Sequence, residues 1–527
     1  MNWIKRNKWS VLVIIVIAVD AYLFVPWHKA PKNGIHFIPA TKKQVEQGKA
    51  LAAQYCQSCH MLPDPQLLTR EMWATGVLPR MGPFLGYTSF HGKTYFRAND
   101  VDLSFFPAKR VMDSVKWQRI NDYFTTVAPD KLTAQAKTVQ IIRQMPFFEI
   151  DTPSFKTLYS KMAIASYVKI DTTVNPHRLI VNDGAASRFI LLDKNLQVLN
   201  AFNTKGVVVD LCLQKDGILA CSIGKTMEAN NLANGNVTRI SIDSKGNVKA
   251  DAQPLFGKLA RPVKVTAADL NGDGKTDYIL SEFGNLVGKL SWVENKGNGK
   301  YISHILRQRP GALTTIVQDV NHDGKPDIWA QFAQGEEGIF LYTNKGNGEF
   351  DEREVLRFPP VYGSTSFDVV DMNHDGYPDI IYTCGDNGDY TQILKPYHGV
   401  YIYINDGKNN FKQQYFYPIN GCYKAIARDF DGDGNMDIAT ISFFPAAAQP
   451  EEAFVFFKGK GGLNFQPYAM LAGTRFQKGL TMDAGDLDGD GKPDLVLGNG
   501  YFSSDTVSKY TEPLFIVLKN RTAGIKY

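Results

Sequence analysis

A chain of 527 residues, 44% hydrophobic and 21% charged, is too long for one ordinary core and too apolar to stay disordered over any long stretch. A net charge of +5 is mild, and no basic block follows Lys5, Arg6 and Lys8, so nucleic acid is excluded as a partner. The chain has no G-x-S-x-G, no H-E-x-x-H and no glycine-rich phosphate loop, and nothing in it suggests a hydrolase, a zincin or a nucleotide-binding enzyme.

In chain order, Lys5, Arg6 and Lys8 precede an apolar run from Trp9 to Val25, interrupted by Ser10 and Asp20, with Trp27 at its far edge. Basic residues before an apolar run with aromatic flanks predict an uncleaved membrane anchor over residues 1–30, that is, an N-terminal transmembrane helix. Cleavage after Ala21 is the alternative. Either way the rest of the chain is exported, so the expected location is the cell membrane, single-pass, with the bulk in the periplasm or otherwise outside the cytoplasm. Six cysteines suit such a compartment. Two belong to the motif described next, which leaves Cys212, Cys221, Cys384 and Cys422 as candidates for disulfides.

Cys56-Gln57-Ser58-Cys59-His60 has the C-x-x-C-H spacing of covalent haem attachment. Two thiols add to the two vinyl groups while the next residue swings under the iron as axial imidazole. Apolar periodicity predicts helices over 41–55 and 115–127, the second opened by Asp113-Ser114. Gly48 ahead of the motif and a closing aromatic helix ending at Ala128-Pro129 resemble a class I cytochrome c. The resemblance implies a small all-α cytochrome c domain over residues 40–130, with Gly48 packed on Tyr123. Among Met61, Met72, Met81, His91 and Met112, the expected sixth ligand is Met81, set in the proline-bracketed segment 77–83, and Met112 is the alternative. One haem c is the expected cofactor.

Residues 131–150 read as a connector, and 151–527 as an all-β repeat array. Five nonapeptides share D-x-[ND]-x-D-G-x-x-D at intervals of roughly fifty to sixty residues. Oxygens at positions one, three, five and nine, with the carbonyl of position seven, suit a hard cation in a tight turn, and glycine at position six permits the reversal. About five Ca²⁺ are therefore expected. The ligand sets are Asp269, Asn271, Asp273, Lys275 and Asp277; Asp319, Asn321, Asp323, Lys325 and Asp327; and Asp371, Asn373, Asp375, Tyr377 and Asp379. Two more follow: Asp429, Asp431, Asp433, Asn435 and Asp437; and Asp486, Asp488, Asp490, Lys492 and Asp494. His322 and His374 at position four are read as pointing outward.

Apolar strands enter and leave each loop, so the loops cap β-hairpins. With a third strand and an Asn/Gly turn after each, the unit is a four-stranded propeller blade. The five blades resemble FG-GAP or VCBS repeats of integrin-α-like propellers over residues 260–500. Two degenerate blades precede them, with strands near 167–170, 179–181, 189–192 and 198–202, and then 207–213, 218–221, 237–242 and 248. Two and five give a seven-bladed propeller, whose ring closes with a strand at 155–158. A turn at Asp216-Gly217 pairs Cys212 with Cys221 for a disulfide, and Cys384 with Cys422 is a second candidate pair.

The calcium loops and Asn/Gly turns lie on one face of the ring, and the long loops between second and third strands lie on the other. That other face is the expected working face, with Asp386, Asp389, Tyr390, Lys395, Tyr397 and His398 as candidate contacts. Taken together, the chain reads as a membrane-tethered electron carrier with the propeller as docking platform. Its partners are the membrane and a redox protein or membrane electron-transfer complex. The alternatives are a haem-coupled dehydrogenase with substrate in the funnel, and a calcium-dependent adhesion or glycan-binding module with a haem sensor.

Overall fold

The computed structural model describes residues 37–95, 98, 100–153, 163–215, 217–243, 246–388, 393–471, 474–501 and 513–522. Seven antiparallel sheets form the seven blades of a β-propeller. Blade one runs Ala165–Asp171, Arg178–Asp183, Arg188–Asp193 and Val198–Asn203. Blade two runs Val208–Gln214, Gly217–Ser222, Gly235–Ile242 and Val248–Ala250, with a fifth strand, Phe256–Leu259, against its third.

Blades three to six are four-stranded and contiguous in sequence, from Pro262–Ala268 to Phe465–Ala469. In blades three to seven the second strand is buried along its whole length, as in Asp327–Phe332 and Asp494–Asn499. Buried on both faces, such strands are near-continuous apolar runs. The outermost strands alternate, as in Val198–Asn203. No single core results: seven hydrophobic clusters lie one between each pair of neighbouring blades.

Closure differs from the sequence expectation. The outer strand of blade seven is Phe148–Asp151, paired antiparallel with Phe515–Asn520 so that Phe148 faces Asn520 and Asp151 faces Val517. The expected closing segment at 155–158 lies outside the described residues. Phe148 is 6% exposed and sets its ring 5.2 Å from Phe456 and 6.0 Å from Phe430, both of blade six, which clamps the closing strand of blade seven against its neighbour.

The cysteine pairings are also corrected. Gln214 pairs with Gly217, so Cys212 lies opposite Leu219 and Cys221 opposite Asp210. The slip is by two residues, which keeps both thiols on their original faces while separating them along the strand. Cys384 and Cys422 are buried free thiols, and Cys384 Sγ donates to the Tyr397 carbonyl at 3.2 Å.

The expected architecture of an N-terminal transmembrane helix, a small all-α cytochrome domain and a separate propeller is not what forms. The chain is mostly β. Among the described residues no helix is long and apolar enough to cross a membrane, and residues 1–30 lie outside them. Ahead of the propeller are two fourteen-residue helices, α1 (Lys42–Tyr55) and α2 (Ser114–Val127), joined by short helical turns and a two-stranded ribbon, Ser89–Phe90 with Lys93–Thr94. Thr41 and Gln44 form a capping box on α1, and the Asp113 carboxylate accepts from Lys116 N on α2. The helices cross at Gly48, where an added Cβ would sit 2.0 Å from the Arg119 carbonyl oxygen and 2.7 Å from Tyr123 Cβ.

This segment has no independent boundary, because its hydrophobic cluster takes in Val361 and Ile393 of the propeller. Tyr397 Oη donates to the Leu67 carbonyl at 3.1 Å. On blade two, Asn231 donates from its backbone N and its Nδ2 to the Asp100 carboxylate at 2.7 and 2.8 Å. Residues 130–147 then run along the outside of blades five and six. There Tyr417 Oη donates to Val139 O at 2.7 Å, and Arg143 pairs with Glu451 at 2.7 Å.

The closure makes Phe148 a stability hot spot. Phe148→Ala is expected to cost about 3–5 kcal/mol in denaturant unfolding of the full chain, against under ~1 kcal/mol for Val198→Ala on an exposed outer strand. Equal costs for the two would place the ring closure elsewhere.

Candidate functional site

The five acidic loops adopt one geometry. Position one uses both carboxylate oxygens: Asp269 accepts from Asp273 N at 3.2 Å and Gly274 N at 2.8 Å, and Asp371 accepts from Asp375 N at 3.2 Å and Gly376 N at 2.9 Å. Position six is glycine in the left-handed region throughout, with φ between 79° and 87°. Position four is left-handed as well. Glycine supplies it in three loops, whereas His322 and His374 adopt φ of 58° and 62°. His374 turns its Nε2 to the Gly434 carbonyl, 3.0 Å away in the neighbouring blade's loop.

Position nine is the anchor. Asp277, Asp327, Asp379, Asp437 and Asp494 are each 0% exposed. One oxygen accepts from the backbone N of position two, and the other accepts from the third strand of the same blade. In blade four these bonds are Val320 N at 3.0 Å and Asn344 N at 2.7 Å, and in blade seven Leu487 N at 3.0 Å and Asn520 N at 2.8 Å. Burial pushes all five carboxyls above the usual range, Asp437 and Asp494 up to about 6. The carboxylates converge closely enough to share a cation at Asp429, Asp431 and Asp433, and again at Asp486, Asp488 and Asp494. The donor set is all oxygen and fits a hard divalent cation.

In the C-x-x-C-H segment, Cys56 caps the C-terminus of α1 and is half-buried, Cys59 is exposed and His60 is half-buried. Burial, with Cys59 beside it, pushes the Cys56 thiol up to about 11. His60 Nδ1 lies 2.8 Å from the Met61 carbonyl, a partner that fixes the ring and leaves Nε2 for a ligand bond. Two free thiols and an oriented imidazole are the set a covalent haem requires, and the residues present fit that group. Met81 closes a short helix, Leu78–Met81, rather than standing in an irregular loop, and Met112 is buried in the helical cluster.

At the opposite end of the ring from the acidic loops, a cavity of about 1490 Å³ runs down the propeller axis, lined by the innermost strand of every blade. Its wall carries ion pairs between Lys169 and Asp483 at 3.1 Å and between Lys264 and Asp210 at 3.2 Å. Lys424 donates to the Met482 carbonyl at 2.9 Å, and burial holds its pKa below the usual lysine range. Loops between second and third strands ring the mouth, among them Met227, Gln334, Asp386 and Phe444.

Of the contacts expected there, Asp386 lines the cavity, while Lys395, Tyr397 and His398 are buried at 3%, 7% and 1% exposure and hold the loop together. Asp389 and Tyr390 lie outside the described residues. Sequence reasoning missed the axial lysines and aspartates, because one charged residue inside an apolar strand carries no spacing signal.

Two repeat models match the chain. One described as FG-GAP-like repeat matches residues 269–330 and 319–382, and one described as FG-GAP repeat matches 479–511. These are FG-GAP repeats, the repeat expected of an integrin-α-like propeller. The T-cell immunomodulatory protein homolog of Plasmodium falciparum is 25% identical over 225 residues, 33% of this chain and 29% of that protein. Integrin alpha-PS3 of Drosophila melanogaster is 35% identical over 122 residues, 20% of this chain and 11% of that protein. The chain therefore spans less than a third of the length of these relatives. Among solved structures, virginiamycin B lyase from Staphylococcus aureus aligns with a TM-score of 0.43 at 13% identity, over 70% of this chain and 98% of that one.

Proposed function

We propose that this chain is an exported, calcium-stapled propeller that works as a binding module of the adhesion type, taking a polar ligand such as a glycan at the axial mouth. The observation that carries the reading is the division of the ring into two ends. The FG-GAP loops gather carboxylates at one end, and the cavity of about 1490 Å³ with its half-buried Lys–Asp pairs opens among long loops at the other. Calcium bound in a loop would tie first strand, second strand and third-strand N–H together in that blade, leaving the opposite loops rigidly presented. Walls that offer both fixed donors and fixed acceptors suit a neutral or acidic saccharide better than an apolar molecule.

An immobilised panel of neutral and acidic oligosaccharides tests the reading. Binding is expected to fall at least tenfold with chelator and at least tenfold in Lys424→Met. Failure of every saccharide to bind, or binding indifferent to both changes, overturns the proposal.

A second reading is favoured by one specific observation, the pair Cys56 and Cys59 followed by His60 with its Nδ1 already engaged. We infer that this segment carries a covalent haem c, which when bound supplies one-electron transfer. Cys56 and Cys59 would hold the porphyrin, and the Met61 carbonyl would keep the His60 ring turned for the iron. The segment bridges loops of blades two and five, three places apart in a ring of seven, on the side of the ring where the funnel opens. Expression with a haem-attachment system is expected to yield haem that survives acid–acetone extraction, and Cys56→Ser with Cys59→Ser to abolish it. Loss of the weak near-infrared band in Met81→Ala but not Met112→Ala would assign Met81 as sixth ligand. Extractable haem, or none, overturns the haem reading.

A further inference from the structure

The five loops are not equivalent, and the difference lies on a residue outside them. In each blade the third-strand residue whose N–H reaches the position-nine aspartate is preceded by a side chain beside the loop: Glu294, Thr343, Ile404, Lys458 and Lys519 in blades three to seven. Glu294 reaches in, accepting from Asn271 Nδ2, the position-three residue, at 3.0 Å. Lys458 reaches in along the same path with the opposite charge. Its ammonium lies 3.0 Å from Asp431, 2.6 Å from Asp433 and 3.3 Å from Asp437, which are positions three, five and nine. That is three of the four side chains a cation in the loop would share, and the Lys458 side chain is only 15% exposed.

Blade seven is the internal control. Its loop also has acidic side chains at positions one, three, five and nine, and Lys519 occupies the matching strand position. There, however, the ammonium turns outward to Asp151 on the closing strand, 2.8 Å away. Lys275 and Lys325, at position seven of the loops of blades three and four, each reach only the outer oxygen of the position-five aspartate. Among the described residues, only in blade six does a protein cation bridge positions three, five and nine.

We propose that the blade-six loop is stapled by Lys458 instead of calcium, so that the chain carries four calcium sites rather than five. The inference rests on the calcium reading of the other loops. A tethered ammonium does not dissociate, and an incoming Ca²⁺ must both expel it and leave it buried beside a dication. The extra carboxylate at Asp431, where blades three to five have asparagine, is matched by the lysine charge. Blade six is thereby built to hold its shape when calcium is scarce.

Equilibrium dialysis of the full chain against calcium, with the metal counted by mass spectrometry, decides the matter. The expected result is four ions in the native chain, five in Lys458→Met, and four again when Asp433→Ala, which removes the position-five carboxylate that all five loops share, is added to Lys458→Met. Lys458→Gln replaces Lys458→Met if the latter does not fold. Five ions in the native chain, or four in both native and lysine variants, overturns the assignment. Absence of bound calcium from every protein would instead overturn the calcium reading itself.

Discussion

Five aspartates at position nine of the acidic loops sit at zero exposure, each accepting backbone N–H groups from its own loop and from the third strand of its blade. A carboxylate sealed from water is costly unless its charge is both hydrogen-bonded and countered. The N–H groups supply the first requirement and fix where three strands meet. On the calcium reading proposed above, the second comes from a cation in the loop, calcium in four blades and Lys458 in the remaining one. Everything above the loops depends on that junction, because the blades touch through separate clusters between neighbours rather than through one shared core.

The same constraint separates stability from recognition. Carboxylates that must be neutralised are gathered at one end of the ring, and the opposite end is left to loops whose conformation the strands dictate. In the blade-five loop, Lys395 donates to Asn387 at 2.7 Å, and Tyr401 donates to the Tyr397 carbonyl at 2.6 Å. The residues that face the axis are instead the innermost-strand charges, and two of them bridge blades. Asp483 accepts from Ile170 N at 2.8 Å and Asp210 from Val265 N at 3.0 Å, so the funnel wall also helps hold the ring in register.

The repeats and the strand order were legible in the sequence because the loop chemistry is local, with each ligand and each glycine fixed by spacing within nine residues. Closure was not, since 148–151 and 155–158 are both short apolar segments and only the partner at 515–520 chooses between them. The Cys212 pairing failed by two residues, a slip that leaves every side chain on the face the alternation demands. The direction of Lys458 was unreadable for a related reason: Lys519 occupies the same strand position, and only Asp151, a residue brought in by the closing strand, turns that lysine away. The helical segment was read as an independent domain because its caps and periodicity are self-contained, whereas Val361, Ile393 and Tyr397, which bind it to the propeller, lie hundreds of residues downstream.

Differential scanning calorimetry of the full chain with calcium and with excess chelator tests the dependence of the blades on a loop cation most directly. Chelation is expected to lower the propeller transition by ten degrees or more, roughly the effect of losing several kcal/mol of binding energy. The helical segment, which has no acidic loop, is expected to follow only as far as its propeller contacts require. A propeller transition unmoved by chelator would contradict that dependence, because the buried aspartates would then need no calcium to stay folded.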